Sequence, residues 1–197
     1  MKKERDDMVQ RFFKILYYAC RGRHLTEKAV IVLAKFGFVV YILYGVVTWL
    51  YPGRAAERFE RRRAVAAAAL SLGLTVVAAA LLRKIWRRPR PFMSGKTALL
   101  RHGNSPSFPS NHTIHAAAIG AAVMAYRQKE GTSLLLWGLA QGAARVYCGV
   151  HYASDIIGSV VLGAACALAV CRSKVLAGAA ERLALFVTTV EEALKRY

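Results

Sequence analysis

Apolar residues along this chain fall into five long runs, and the charged residues collect in the short segments between them. Ala29 to Tyr51 and Ala64 to Leu82 are each long enough for a helix rising about 1.5 Å per residue to cross a hydrocarbon core of about 30 Å. His112 to Tyr126, Thr132 to Val150 and Asp155 to Cys171 are shorter or more polar, which suits helices packed inside a bundle with function at their polar ends. Many alanines, and glycines at 120, 138, 142, 158 and 163, suit close helix packing. No strand alternation competes. The pattern predicts an all-α, multi-span transmembrane helix bundle of five core spans.

The two ends differ from the spans. Met8 to Cys20 mixes Arg11 and Lys14 with aromatic and aliphatic residues, which predicts a helix lying in the membrane interface. Val175 to Tyr197 mixes small apolar residues with Glu181, Arg182, Glu191, Glu192, Lys195 and Arg196, and reads as an amphipathic surface helix, with a sixth span as the weaker alternative. No repeat or linker marks a second domain. The expected organisation is one domain over 1–197: an interfacial segment at 1–28, a helix bundle at 29–171 and a surface helix at 172–197.

Composition supports a membrane protein. Of 197 residues, 56% are apolar, and the mean hydropathy is positive, beyond the usual range of a soluble domain. The net charge of +18 sits between apolar stretches, where it meets anionic headgroups or a ligand's phosphate. Nucleic acid is not the expected partner, because no basic face alternates with stacking aromatics. Cys20, Cys148, Cys166 and Cys171 lack CxxC or metal-ligand spacing and read as small buried side chains.

Three clusters stand at span edges: Arg88-Pro89-Arg90-Pro91, Pro109-Ser110-Asn111-His112, and Arg145 through His151 to Asp155. Five spans put segments 1–28, 83–111 and 151–154 on one face, so the clusters share a side. Lys and Arg number fifteen on that face and twelve on the other. Once Arg83, Arg88 and Arg90 are assigned to the site the two faces tie, and charge does not set the orientation.

The residue types point to phosphate chemistry. A phosphoryl group needs fixed positive donors, and guanidinium groups bind it in bidentate fashion without losing charge. Arg83, Arg90 and Arg145 are the candidates, with Pro89 and Pro91 stiffening the loop that presents Arg90. An isolated run of this kind would read as a basic cluster snorkelling to headgroups. Ser110 or Asn111 is placed to cap a helix whose free N–H groups face an anion, and Ser110 could add a hydroxyl bond; an ordinary cap is the plainer reading of Ser110. His112 suits a general acid for the leaving oxygen. His115, near the same helical face, reads as a supporting residue. His151 and Asp155 are four apart, so in a helix the carboxylate would hold one imidazole nitrogen and leave the other as a nucleophile. Taken alone, Asp155 is a helix N-terminal charge. An uncompensated Arg145 in an apolar stretch would be costly, which favours a bound anion or a carboxylate partner.

These residues resemble the type 2 phosphatidic acid phosphatase superfamily, whose pattern is lysine, six residues, Arg-Pro; then Pro-Ser-Gly-His; then Ser-Arg, five residues, His, three residues, Asp. Arg90-Pro91, Pro109, Ser110, His112, Arg145, His151 and Asp155 match it. Arg83 stands where the family has lysine, with Lys84 one place out of register; Asn111 replaces glycine and Ala144 replaces serine. The resemblance implies His151 as nucleophile, Asp155 as the carboxylate that orients His151, His112 as acid, and Arg83, Arg90, Ser110 and Arg145 on the phosphate. Arg88, Asn111, His115 and His102 would lie around them. It further implies catalysis with no cofactor or metal.

The stretches HGNSPSFPSNHT and GVHYASD, with the short chain, resemble the bacitracin-resistance type of undecaprenyl pyrophosphate phosphatase. That implies a polyprenyl pyrophosphate substrate, carrier-lipid recycling for cell-wall synthesis, and an active site on the extracytoplasmic face of the inner or plasma membrane. A phosphatidylglycerophosphate or phosphatidic acid phosphatase would use the same motifs. A lipid-phosphate binding or transport protein would not need the His112, His151 and Asp155 set. Oligomeric state and chain length are not readable from these residues.

Overall fold

A computed structural model describes residues 24–95 and 97–195. Within them the chain is all helical: α1 (His24–Phe36), α2 (Val39–Trp49), α3 (Ala55–Ile85), a short 3-10 turn at Pro91–Ser94, α4 (Asn111–Met124), α5 (Gln128–Tyr147), α6 (Ala153–Arg172) and α7 (Lys174–Leu194). The interfacial helix expected at Met8–Cys20, with Cys20, lies outside the described residues.

Helix α4 is the axis of the bundle, packed against α3, α5 and α6. Its face of Ile114, Ala116, Ala117, Ala118, Ala122 and Val123 is buried. Small residues set how closely the neighbours approach: a Cβ on Gly163 of α6 would lie 2.3 Å from the Ile114 carbonyl oxygen. Backbone contact of this kind admits only glycine, and it replaces the hydrophobic drive that lipid does not provide between helices.

The five predicted runs are all helical, but not all five are long and apolar enough to cross a membrane. Among the described residues α3 and α6 are each long and apolar enough to span one. At 14 residues, α4 reaches only about 21 Å, and α5 is too polar to qualify alone. The first run is broken rather than straight: its two halves bend by 58°. The break falls at Gly37-Phe38, where a Cβ on Gly37 would lie 2.6 Å from the Leu33 oxygen and 2.8 Å from Gln141 Nε2. Side chains of α5 bond the backbone there, Trp137 Nε1 donating to the Gly37 oxygen at 2.8 Å and Arg145 Nη1 to the Ala34 oxygen at 3.0 Å. Insertion of side chains into a helix ladder is a recognised cause of such kinks.

Helix α3 begins nine residues before its predicted span, and its added turns pack against α7. Arg63 pairs with Glu181 at 3.4 Å, Arg62 Nη1 donates to Thr188 Oγ1 at 3.0 Å, and Arg58 pairs with Glu192. Numbers falling on α3 meet numbers rising on α7, so the two run antiparallel. Ala180, Ala184 and Thr188 form the buried stripe of α7. At the opposite end of the bundle the C-termini of α3 and α5 meet the N-termini of α4 and α6, closed over by residues 86–95 and 97–110.

Candidate active site

Arg90 is supplied by the loop after α3, in extended backbone before Pro91 opens the 3-10 turn. It is 2% exposed. Its Nε donates to the Ser105 oxygen at 2.8 Å, Nη2 to Ser105 Oγ and the Pro106 oxygen, and Nη1 to the Val150 oxygen at 2.8 Å. One Nη1 hydrogen remains, and it faces His151 Nε2 at 3.3 Å. Burial, then the guanidiniums of Arg145 and Arg83, lowers Arg90 to about 10, which leaves it charged near neutrality.

Arg145 comes from the last turn of α5. Its Nη2 lies 3.4 Å from the same His151 Nε2, while its Nε is buried with no partner among the described residues. Between α5 and α6 the chain turns at Gly149, with φ of +72° and a Cβ position only 2.5 Å from the Thr97 oxygen. That turn delivers His151 before α6 begins at Ala153, so the histidine and Asp155 do not share a helical face as expected.

The two are nonetheless adjacent, and the contact differs from the sequence expectation. His151 Nδ1 bonds the Ser107 carbonyl oxygen at 2.7 Å, while Asp155 Oδ2 stands 3.8 Å away. A carbonyl only accepts, so Nδ1 carries the proton and Nε2 presents an unprotonated lone pair that accepts from Arg90 and Arg145. Asp155 is fully buried; its Oδ2 accepts from Ser107 Oγ at 2.5 Å and from Tyr152 N at 3.0 Å, and its Oδ1 accepts from Arg88 Nη1 at 2.7 Å. Asp155 therefore reaches the imidazole chiefly through Ser107. Burial lowers His151 to about 4, with Arg145 and Arg90 acting the same way and Asp155 opposing them.

Other predicted residues are placed as follows. Arg83 Nη2 donates to the Pro109 oxygen at 3.0 Å and to Asn111 Oδ1. Ser110 is the N-cap of α4 but makes no side-chain cap bond. It is fully buried, its N–H going to Ser159 Oγ and its Oγ accepting from Thr113 Oγ1. His112, in the first turn of α4, stacks edge-on with Phe38 from the bend, ring centroids 6.0 Å apart. His115 Nδ1 meets Thr75 Oγ1 at 2.8 Å, bracing α4 on α3. His102, whose role the sequence left open, lies edge-on to His151 with centroids 6.5 Å apart; burial and then Arg90 lower its pKa. Ala144 is packed with Ala34, Tyr147, Cys148 and Val150.

Sequence reasoning missed Ser105, Ser107 and Ser159, which hold Arg90, His151 with Asp155, and Ser110 respectively. Their signal was slight: two serines flanking Pro106 in a segment without periodicity, and one on α6 four residues after Asp155.

The arrangement can do one thing well. A nucleophilic imidazole nitrogen faces two guanidiniums, so a phosphoryl group arriving at Nε2 has its oxygens met by fixed positive charge that needs no reorganisation.

Known proteins share this frame. The crystal structure of Aquifex aeolicus LpxE superposes with a TM-score of 0.54 at 21% identity, covering 81% of this chain and 92% of that one. The first transmembrane PAP2 type phosphatidylglycerolphosphate phosphatase from Bacillus subtilis superposes at 0.51 and 19% identity, covering 83% and 92%. In sequence, the undecaprenyl-diphosphatase BcrC of Bacillus subtilis (strain 168) is 28% identical over 79% of this chain and 78% of its own length. The putative undecaprenyl-diphosphatase YbjG of Escherichia coli (strain K12) is 28% identical over 68% and 66%. The family model of the PAP2 superfamily matches residues 64–177, more than half of the chain and the whole of the site just described. With its histidine-arginine centre inside that match, the chain belongs to the PAP2 superfamily.

Proposed function

We propose that this membrane phosphatase hydrolyses a polyprenyl pyrophosphate, undecaprenyl pyrophosphate above all, to the monophosphate and inorganic phosphate, and so recycles a carrier lipid of cell-wall synthesis. The observation that carries the chemistry is the lone pair of His151 Nε2, held by the Nδ1 bond to Ser107 and facing Arg90 and Arg145 at 3.3 and 3.4 Å. The likeness to undecaprenyl-diphosphatases supports the lipid.

In the first step Nε2 attacks the terminal phosphorus, the bond to the bridging oxygen breaks, and His112 gives that oxygen a proton. The phosphoryl group is then carried on His151. In the second step His112 takes a proton from water, whose oxygen attacks phosphorus and releases phosphate, restoring both histidines. Asp155 and Ser107 hold the imidazole in the reactive tautomer. Arg83, Arg90 and Arg145 neutralise the phosphoryl oxygens as a metal does elsewhere, so the reaction is expected to proceed with chelator present. The site belongs on the extracytoplasmic face of the inner or plasma membrane in this reading.

Phosphate release by the purified protein in detergent with chelator, from undecaprenyl pyrophosphate, phosphatidylglycerophosphate and phosphatidic acid, tests it. A preference for the pyrophosphate that disappears in His151→Ala is expected. Preference for a glycerolipid would overturn the substrate, and release that survives His151→Ala would overturn the mechanism.

A further inference from the structure

Beside the loop that carries Arg90 lies a cavity of about 450 Å³, lined by Arg83, Lys84, Arg87 and Arg88 with Asn104 and Ser105 among the remaining residues. Four cations and no carboxylate border it. Two of them are accounted for: Arg83 is held by Pro109 and Asn111, and Arg88 by Ser154 and Asp155. Lys84 and Arg87 are exposed and have no ion-pair or hydrogen-bond partner among the described residues. Elsewhere the arginines at the far end of α3 are answered by glutamates, Arg61 by Glu57 and Glu130 and Arg63 by Glu60 and Glu181. Here only Arg88 meets an acid, Asp155, and among the described residues none answers Lys84 or Arg87.

Lys84 sits in the last turn of α3, where a cation complements the helix dipole. Arg87 lies beyond the C-cap residue Trp86, so the dipole gives no reason for it. Two residues that line the cavity also bear on the catalytic centre. Arg83 borders it while reaching the start of α4. Ser105 borders it while its carbonyl and hydroxyl oxygens hold Arg90.

We infer that this cavity takes the second phosphate of a diphosphate substrate, the one that stays on the lipid, with Lys84 and Arg87 as its specificity-determining residues. This rests on the proposed diphosphate reading. As the bond to the terminal phosphorus breaks, negative charge grows on the bridging oxygen and the phosphate behind it. Unpartnered cations there favour the transition state and distinguish a diphosphate from a monophosphate ester, which has no group to place in the cavity. A headgroup patch would bear the same charges without that discrimination.

The test uses farnesyl diphosphate and farnesyl monophosphate in zwitterionic micelles free of anionic lipid, with wild type, K84A/R87A and the charge-keeping K84R/R87K. The double alanine variant is expected to lose about tenfold or more in kcat/KM on the diphosphate, the scale of one or two charge-assisted bonds, and less than about twofold on the monophosphate. K84R/R87K should keep most of the diphosphate rate, and unchanged monophosphate turnover shows that the variants are folded. Equal losses on both substrates, or none, would overturn the inference. So would a loss seen only after phosphatidylglycerol is added, which would assign the patch to headgroups. Failure of the underlying reading shows separately, in wild type, as no His151-dependent release from the diphosphate.

Discussion

Arg83 donates to the side-chain oxygen of Asn111, so two positions at which this chain departs from the family's phosphate-binding pattern touch each other. A guanidinium can give one hydrogen to Pro109 and another to Asn111 and still present donors, whereas an ammonium has no such fork. Glycine at 111 would remove the acceptor. Asn111→Gly is expected to lower kcat/KM about fivefold, and to have little further effect once Arg83 is lysine, as for neighbours that share one bond. A double-mutant cycle on phosphate release measures the coupling, and additive effects would show the two departures to be independent.

His112 as general acid has a leaving-group signature. His112→Ala is expected to slow hydrolysis of an alkyl ester such as farnesyl monophosphate by about a hundredfold or more. It should slow p-nitrophenyl phosphate far less, because that phenolate leaves without a proton. Equal losses on both esters would remove His112 from proton transfer.

The environment of His151 sets a pH expectation. The nucleophile works neutral, and burial with the two guanidiniums lowers it to about 4, below the ordinary value near 6.5. Falling pH should therefore leave Nε2 free down to about 4 and protonate it only there. A ¹⁵N NMR titration of the ligand-free protein in micelles, assigned with His151→Ala, reads the midpoint directly. A midpoint near 6.5 would contradict the buried, cation-flanked environment.

Ser107 is bonded to both His151 and Asp155, but by different atoms. Ser107→Ala removes the hydroxyl given to Asp155 and keeps the carbonyl that holds Nδ1. About a tenfold fall in kcat is expected, comparable with loss of one charge-assisted hydrogen bond. Asp155→Asn also disturbs Arg88 and Tyr152 N and should cost more than about a hundredfold. Steady-state kinetics of the two variants decide the order, and a harmless Asp155→Asn would show that the Ser107 carbonyl alone orients the imidazole.

At the far end, Arg62 ties α3 to α7 through Thr188 and Glu191, and none of the predicted catalytic or phosphate-binding residues is bonded to α7. Arg62→Met is expected to lower Tm while leaving kcat/KM within about twofold, since distant sites act independently. Thermal melts and turnover of the same preparation check both halves.

The sequence alone was enough for the helical class and for the runs that become helices. Apolar run length and residue chemistry are local properties that survive in one dimension. Motif spacing likewise placed Arg90, Arg145, His151 and Asp155 at helix ends on one side. Tertiary structure decided what no spacing carries. It broke the first span at Gly37, where α5 approaches too closely for a side chain and bonds the backbone. It put a carbonyl of Ser107 on Nδ1, with Asp155 behind it, because the 97–110 segment folds over the helix ends without any periodicity to announce its path. It brought Arg83 to Asn111, and His102 to His151, across 28 and 49 positions of chain. Hydrogen bonds of a few ångströms between distant residues depend on how helices pack, and packing is settled only when all the helices are present together.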